Sequence, residues 1–237
     1  MTKLIVGTGT SRLTFRKTEE IVGIDINRLY LQVLKRRSAR SYQFCVADAT
    51  NLPFKDQTFE EIICKDVLEH ISNANKAVEE MCRVLKEGGL LILQIPRAES
   101  EYFLSSYFSP YKKYITGKVH KHIFTNIWLP EKMEVIKDHI TDAYGGIRWL
   151  TLAAFHNILK LDSKVKIDDR GQITYTNTSK IELFVAKLFN TFSEILARMF
   201  APIFNNVISK KSKLSAYLYK SRLIIAKKGK ETCENKK

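Results

Sequence analysis

Residues 3–11 of the chain read KLIVGTGTS, and residues 22–25 read VGID. The first stretch predicts a buried strand that runs into a glycine turn, and the second predicts a strand that ends on a carboxylate. This order is typical of parallel sheets that bind nucleotide-like ligands at the carboxyl ends of their strands. Two glycines after a short apolar run also close ordinary turns, so both interpretations are open at this point.

Length and composition indicate a single folded α/β domain with an appendage. The chain has 237 residues and a mass of 27.4 kDa, which is enough for one substantial core. Its hydrophobic content of 45%, with 11% aromatic residues, is typical of a globular protein and excludes a disordered one.

Cysteine and histidine spacing predicts neither a disulfide framework nor a metal site. The four cysteines, Cys45, Cys64, Cys82 and Cys233, form no CxxC pair, and the five histidines lack the spacing of metal ligands. The sequence opens with no signal peptide and has no apolar run of about 18 residues. We therefore expect reduced thiols, a cytoplasmic location and no bound metal.

The positive charge is concentrated in the second part of the chain. The formal net charge is +14, of which residues 1–97 contribute 15 basic and 12 acidic side chains. From residue 209 onward there are ten basic residues against Glu231 and Glu234. This tail favours contact with a polyanion, either RNA or an anionic membrane surface, although a solvated lysine-rich surface has the same composition.

Strands and helices alternate through the first part of the chain. After the first two strands, the pattern predicts a helix over 27–37 with Leu29, Tyr30, Val33 and Leu34 on one face, a strand over 42–47, a strand over 62–64, a helix over 73–85 that Gly88-Gly89 stops, and a strand over 90–95 that Pro96 ends. Apolar strands separated by helices predict a doubly wound parallel sheet. Its carboxyl ends would carry Gly7 to Ser11, Asp25, Asp48 and Cys64 to Asp66.

Beyond Arg97 the pattern changes. Aromatic residues crowd residues 98–125, which we interpret as an insertion that covers a substrate. Residues 127–160 are predicted to be largely helical, 165–176 to form a hairpin, and 221–227 to form the final strand. We expect one domain overall, with a cofactor-binding half at 1–97, a lid and substrate-side elements at 98–176, and an amphipathic helix, final strand and basic tail at 177–237.

Four ordered segments carry a family resemblance. The segments VGTGTS, VGIDIN, FCVADATNLPFKDQTFEEIICKDVLEHI and MCRVLKEGGLLILQIPR resemble, in order and spacing, the class I methyltransferases of the type 11 family. The resemblance covers about residues 3–97. It implies a Rossmann-like, mostly parallel seven-stranded sheet with a helical C-terminal cover, and S-adenosylmethionine as the cofactor.

The resemblance assigns the first part of the cofactor site. Gly7 and Gly9 would let the backbone approach the methionine part of the cofactor, where a Cβ would occupy space. Asp25 would accept hydrogen bonds from both ribose hydroxyls. The neighbouring Thr8 and Ile26 belong to the same set.

The second part of the implied site follows the third and fourth strands. Asp48, with Ala49 beside it, would receive the adenine amino group. Cys64, Lys65 and Asp66 would face the sulfonium and the methyl acceptor. Asp25 and Asp48 have a structural alternative, because a carboxylate at the end of a strand often caps a loop.

The chain departs from the family pattern at two positions. Ile5 stands where the family usually has an acidic residue, and Ser11 stands where a third glycine is usual. Loss of that carboxylate would weaken the hold on the methionine end of the cofactor. The family also usually has one or two helices before the first strand, so we expect either an upstream start or another element that covers the cofactor.

Catalysis by such a site requires alignment more than a nucleophile. Methyl transfer from a sulfonium is an in-line displacement, and a base is needed only when the acceptor holds its proton tightly. His70 resembles a position near the acceptor, although a histidine at a helix start is as often structural. His120 and His122 are two residues apart and would point to opposite sides of an extended segment, so at most one of them faces a given proton.

Residues 181–208 are amphipathic. Apolar residues recur at helical spacing, polar residues occupy the other side, and Pro202 is predicted to kink or end the helix. One interpretation is a core helix that covers the sheet. The other is an interfacial helix, because basic residues follow it immediately.

The sequence as a whole predicts a cytoplasmic methyltransferase that acts on a small, hydrophobic or lipid-like acceptor, and it leaves peripheral contact with a membrane open. One alternative is an RNA methyltransferase, favoured by the pI of about 9.6. Another is a binding protein of the same fold that has lost catalysis. The acceptor atom and the oligomeric state stay open.

Overall fold

The computed structural model describes residues 1–9, 19–37, 42–116, 122–123, 126–141, 143–167, 172–207 and 221–229. Ser11, His120 and most of the basic tail lie outside the described residues. Contacts divide the chain into two compact units, one within residues 1–95, 125–138 and 223–237 and the other within 96–124 and 139–222. None of the helices in the described ranges is long and apolar enough to cross a bilayer.

A seven-stranded sheet organises the first unit. Its strands are β1 (Thr2–Val6), β2 (Glu20–Asp25), β3 (Tyr42–Val46), β4 (Phe59–Lys65), β5 (Leu85–Pro96), β6 (Met133–Thr141) and, after a separate hairpin of strands β7 (Val165–Ile167) and β8 (Ile173–Tyr175), β9 (Ser221–Lys228). The order across the sheet is β3-β2-β1-β4-β5-β9-β6. The pairings β1 with β2, β1 with β4, β2 with β3 and β4 with β5 are all parallel. The predicted mostly parallel α/β sheet is confirmed.

The strand order reverses direction between β1 and β4. From β1 the chain proceeds outward to β2 and β3, and then returns to place β4 on the other side of β1. The carboxyl ends of β1 and β4 therefore flank the switch point, where ligands of doubly wound sheets bind. Val6 is in register with Cys64, so the loops that follow these two strands start at the same level.

Among the described residues of this unit, two helices connect strands, and the first corrects a detail of the sequence prediction. They are α1 (Arg28–Arg37) and α2 (Ala74–Val84). In α1, Leu31 is buried and Leu29 is exposed, so the predicted face that included Leu29 is wrong at that position. In α2, Asn73 caps the N-terminus by accepting a hydrogen bond from the Lys76 backbone N–H at 3.2 Å. Its predicted apolar stripe is fully buried.

The glycine pair 88–89 does not stop the helix. Helix α2 ends at Val84, and Leu85 is already paired with Phe59 as the first residue of β5. Glu61 then pairs with Leu90, so residues 86–89 bulge opposite a single residue of β4. A Cβ on Gly89 would lie 3.0 Å from the Glu60 carbonyl oxygen, which explains why a glycine stands there.

The last two sheet positions contain one confirmed and one missed strand. The predicted final strand is β9, which lies between β5 and β6. The buried Lys228 on β9 donates from Nζ to the carbonyl oxygens of Cys82 at 2.7 Å and Leu85 at 2.6 Å, at the C-terminus of α2. Residues 133–141 form β6, so the prediction that 127–160 is largely helical is wrong there.

The second unit is mainly helical. Its helices are α3 (Ala98–Tyr107), α4 (Ser109–Ile115), α5 (Ala143–Ile158) and α6 (Lys180–Val207). Its core combines aliphatic residues with the buried aromatic side chains of Phe108, Tyr111 and Trp149. Strands β7 and β8 pair antiparallel, which confirms the predicted hairpin.

Helix α6 is longer than the proline suggested. Pro202 lies inside the helix, which continues to Val207, so the alternative that the proline ends it is wrong. The helix begins with a capping box, in which Ser179 Oγ accepts from the Glu182 backbone N–H at 3.2 Å and Glu182 Oε2 accepts from the Ser179 backbone N–H at 2.8 Å. Helix α6 packs against α5 within this unit.

Candidate functional site

The turn after β1 has the backbone conformation that only glycine adopts easily. Gly7 and Gly9 have positive φ values of 70° and 53°. The backbone N–H groups of Gly7 and Thr8 donate to the Ile24 carbonyl oxygen at 2.9 and 3.1 Å. The turn is thereby held against the end of β2.

Asp25 joins this turn to the residue that follows β2. Its Oδ2 accepts from the Gly9 backbone N–H at 2.8 Å, and its Oδ1 accepts from the Asn27 backbone N–H at 2.8 Å. A carboxylate offers about four acceptor positions, so each oxygen can still accept one more hydrogen bond. The next residue, Ile26, is 74% exposed and gives an apolar surface beside this carboxylate. A polyhydroxylated ring attached to a flat apolar ring fits this arrangement.

The two glycines of the turn have different surroundings. A Cβ on Gly7 would lie 2.2 Å from Val67 Cγ2, so the loops after β1 and β4 are in direct contact. A Cβ on Gly9 would meet no described atom within 4 Å. Gly7 is thus required by packing, whereas the space beside Gly9 holds no atom of the described residues and could take a ligand.

Thr8 lies between these glycines with a buried side chain. It is 4% exposed, and no described group lies within hydrogen-bonding distance of its Oγ1. A buried hydroxyl without a partner is costly, and a polar ligand group at the turn would satisfy it. Together with Asp25, Ile26 and the space beside Gly9, this hydroxyl fits the predicted cofactor.

Asp48 follows β3 and closes a tight turn. Its Oδ1 accepts from the Thr50 backbone N–H and from Thr50 Oγ1, both at 2.8 Å. The loop-capping alternative is therefore realised for one oxygen of this carboxylate, and the side chain as a whole is exposed. Asp25 is in register with Val46, so Asp48 lies at the same edge of the sheet. Ala49, by contrast, is part of the buried core.

An ion-pair cluster holds the loop after Asp48 to α2. Arg83 donates from Nη1 to the Phe54 carbonyl at 2.8 Å, from Nη2 to the Leu52 carbonyl at 2.9 Å, and from Nη2 to Glu80 Oε2 at 2.8 Å. Glu80 Oε2 also accepts from the Leu52 backbone N–H at 2.9 Å. Hydrogen bonding from Arg83 lowers the pKa of the Glu80 carboxyl, against the opposing effect of burial.

Sequence reasoning missed the positioning role of Arg83 and Glu80. The two residues are separated from Leu52 and Phe54 by about 30 positions, and only the folded loop brings them together. The available signal was the i, i+3 spacing of opposite charges on α2, which usually indicates a surface pair.

The residues at the end of β4 differ in whether their side chains are accessible to a ligand. The Cys64 side chain is fully buried, and burial, with the charges of Glu69 and Asp66, raises the pKa of its thiol. Cys64 can therefore reach a ligand through its backbone alone. Lys65 and Asp66 are exposed. Gln94, which the sequence did not single out, has its Nε2 3.3 Å from Asp66 Oδ2.

The two histidine candidates lie in different units. His70 ends a short 3-10 helix, Leu68–His70, and its Nε2 is 3.8 Å from Oε1 of the buried Glu69. His122 donates its backbone N–H to the Ile115 carbonyl at 2.9 Å in the second unit. His70 follows the loop after β4 and is thus the candidate that belongs to the sheet edge described above.

A family model for a methyltransferase domain matches residues 4–93. The demethylmenaquinone methyltransferase of Tropheryma whipplei strain Twist is 30% identical over 141 residues, which are 58% of this chain and 57% of that protein. The enzyme of the same name from Thermotoga maritima is 32% identical over 131 residues, 54% of this chain and 51% of that protein. The chain spans about half the length of these curated relatives.

Solved structures support the fold. A putative methyltransferase from Bacillus halodurans superposes with a TM-score of 0.52 at 20% identity, over 97% of this chain and 93% of that one. At this level of identity the likeness concerns the fold alone.

Proposed function

We propose that the chain, whose residues 4–93 match the type 11 methyltransferase domain, uses S-adenosylmethionine to transfer a methyl group to a small, hydrophobic or lipid-like acceptor. The observation that carries the proposal is the contact of Asp25 with the turn after β1. This carboxylate accepts the Gly9 backbone N–H and retains acceptor capacity next to space that no atom of the described part of the chain fills.

In this proposal, different residues at this edge of the sheet contact different parts of the cofactor. Gly7, Thr8 and Gly9 would hold the methionine part, with Thr8 Oγ1 available to a polar group. Asp25 would accept from the two ribose hydroxyls. Ile26 would pack on the adenine ring, and the oxygen of Asp48 that Thr50 does not occupy would receive the adenine amino group.

The reaction needs no covalent intermediate with the protein. The lone pair of the acceptor atom forms a bond to the methyl carbon as the bond from carbon to sulfur breaks and its electrons stay on sulfur. The protein's task is to align acceptor and methyl group and to exclude water. Where the acceptor loses a proton, we assign its removal to His70, next to the buried Glu69.

The class of acceptor rests on the relatives. Two of them are named demethylmenaquinone methyltransferases, which supports a lipid-like quinone or another hydrophobic small molecule as the acceptor. The chain covers only about half of their length, so the acceptor pocket of this chain is a proposal of its own.

Calorimetry with S-adenosylhomocysteine tests the cofactor site directly. We expect the full chain to bind it and the Asp25→Asn variant to bind at least about tenfold more weakly, because an amide cannot accept hydrogen bonds at both positions. Glu134→Gln, an exposed carboxylate on β6, is the matched control and should bind as the parent does. If the parent does not detectably bind S-adenosylhomocysteine, the proposed methyltransferase activity is contradicted, and a binding protein of the same fold without catalysis is favoured.

The net charge of +14 favours RNA as a second candidate acceptor. Retardation of RNA in electrophoresis with a steep dependence on salt would support it. Methyl transfer to a small quinone, with no retardation of RNA, would support the first candidate.

A further inference from the structure

Helix α6, for which the sequence left a core helix and an interfacial helix open, exposes most of its large apolar residues. Ile181 is 77% exposed, Phe184 69%, Leu188 55% and Met199 61%. Phe192 and Ile195 are also exposed. At about 100° per residue, these six side chains fall within an arc of about 80°. They form a continuous apolar stripe, residues 181, 184, 188, 192, 195 and 199, along the outside of the unit.

The buried side of α6 consists of small residues. Ala186, Ser193, Ala197 and Ala201 are buried, which allows close packing with α5. Phe155 of α5 also stacks on Phe189 with ring centroids 4.3 Å apart. The orientation of the helix is therefore fixed by contacts on this side, and the apolar stripe is left facing away from them.

The charged residues of α6 differ in whether they form ion pairs. Its two carboxylates, each 38% exposed, are both paired, Glu182 with Lys164 at 2.6 Å and Glu194 with Arg148 at 3.4 Å. Lys180, Lys187 and Arg198 are exposed, and within the described ranges no carboxylate pairs with them. All three lie on one flank, beginning about 40° from the edge of the stripe.

We propose that α6 lies in the headgroup region of a bilayer that contains anionic phospholipids, with the stripe among the acyl chains and the basic flank at the phosphates. The stripe is about 27 Å long, and the helix is not one that crosses a membrane. A helix with an apolar face and a cationic flank lies in the plane of the interface. The basic sequence from residue 209 onward adds a second signal of the same sign.

Charge complementarity favours this occupant over a second copy of the chain. In an antiparallel two-fold pair of α6 helices, the same flanks would meet, so Lys180 of one helix would approach Arg198 of the other. Like charges at such a contact oppose pairing, and the net charge of +14 adds to the repulsion. The surface of an anionic bilayer offers acyl chains to the apolar stripe and phosphates to the basic flank. The inference concerns binding and does not depend on the proposed methyltransferase activity.

Vesicle flotation of the full chain tests the proposal. We expect binding to vesicles with about 30% phosphatidylserine and much weaker binding to pure phosphatidylcholine. The variant Phe184→Ser, Leu188→Ser, Ile195→Ser should partition at least about tenfold less. The matched control, Val135→Ser, Ile136→Ser, Ile158→Ser, changes three exposed apolar residues outside the stripe and should stay within about twofold of the parent.

Three further measurements decide the outcome. Circular dichroism and binding of S-adenosylhomocysteine should be the same in parent and stripe variant, so that a failed cofactor site and a failed membrane surface are distinguished. Binding of the parent to neither vesicle, or equal binding of parent and stripe variant, would overturn the proposal. The proposal would also be overturned if sedimentation equilibrium showed a dimer of the parent and of the control variant but a monomer of the stripe variant. The stripe would then be an interface between copies of the chain.

Discussion

Helices α2 and α6 are both amphipathic, and they use their apolar faces in opposite ways. In α2, the stripe of Ala77, Val78, Met81 and Val84 is fully buried against the sheet. In α6, the large apolar stripe is exposed and the small residues are buried. An amphipathic pattern therefore identifies a helix without identifying which side of it the rest of the protein contacts.

The connections of the two helices explain the difference. Helix α2 links the parallel neighbours β4 and β5, and a crossover between parallel strands must pack on the face of the sheet that it crosses. Helix α6 follows the β7–β8 hairpin and has no such obligation. Its small residues approach α5 closely, and this contact rather than the apolar stripe sets its orientation.

The same substitution in the two helices gives the largest contrast. Met81 is fully buried and Met199 is 61% exposed. We expect Met81→Ala to lower the free energy of unfolding by about 2–5 kcal/mol, because it leaves a cavity in the core. Met199→Ala should change it by less than about 0.5 kcal/mol. Urea denaturation of both variants measures the free energy of unfolding. An equal decrease in the two variants would contradict the contrast between a buried apolar face on α2 and an exposed one on α6.

The second-largest effect on stability is expected for Arg83, on the polar side of α2. Removing the guanidinium in Arg83→Ala leaves the carboxylate of Glu80, which is 8% exposed, without its main partner. We expect a loss of about 2–4 kcal/mol, since Arg83 itself is partly exposed and water replaces some of its contacts. The loop after Asp48 also loses the hydrogen bonds that Arg83 donates to its carbonyl groups. We therefore expect the Arg83→Ala variant to bind S-adenosylhomocysteine more weakly. Lys76→Ala, which removes an exposed pair with Glu79, is the control and should be neutral.

Enlarging a small residue of α6 tests whether its buried side sets its orientation. Ala197 is fully buried, and Ala197→Leu should cost about 1–3 kcal/mol through overpacking against its neighbours. Ile195→Leu changes an exposed residue of the stripe and should cost almost nothing. A stable Ala197→Leu variant with unchanged thermal unfolding would indicate that α6 has another packing partner.

The smallest effect concerns pH. Tyr175 on β8 donates from its hydroxyl to the Ala186 carbonyl of α6 at 3.4 Å, and its oxygen is 3.1 Å from His156 Nε2. Burial, partly offset by Arg148, raises the pKa of this phenol from 10.0 to about 12. Because the folded state holds the proton more tightly, its stabilising contribution is complete below pH 10 and is lost as the pH rises towards 12.

Alkaline unfolding profiles of the parent and Tyr175→Phe measure this contribution. The difference between the two stabilities should narrow as the phenol of Tyr175 ionises. A difference that stays constant through this range would show that the phenol does not titrate with folding.

Much of the sheet, and of the turns at its candidate cofactor-binding edge, was predictable, because both depend on local pattern. The strands around Gly7 and Asp25 are short apolar runs with clear ends, and α2 has an unbroken stripe. Strand β6 was missed because it lies at the edge of the sheet with residues 134–138 exposed, so its sequence carries little apolar periodicity. The Arg83 cluster was missed, and the side of α6 that packs against the protein was left open, because both depend on contacts between distant segments.

The ammonium of Lys228 has a consequence for the order in which the chain can complete its fold during synthesis. It covers two carbonyls at the end of α2, and its strand supplies Ile224 and Ala226 to the same core as Leu4 and Met81. The ribosome adds these residues after all residues of the second unit, 96–124 and 139–222. Strand β5 is therefore made well before β9, the neighbour that pairs with its second edge, so that edge stays open until the second unit has been synthesised.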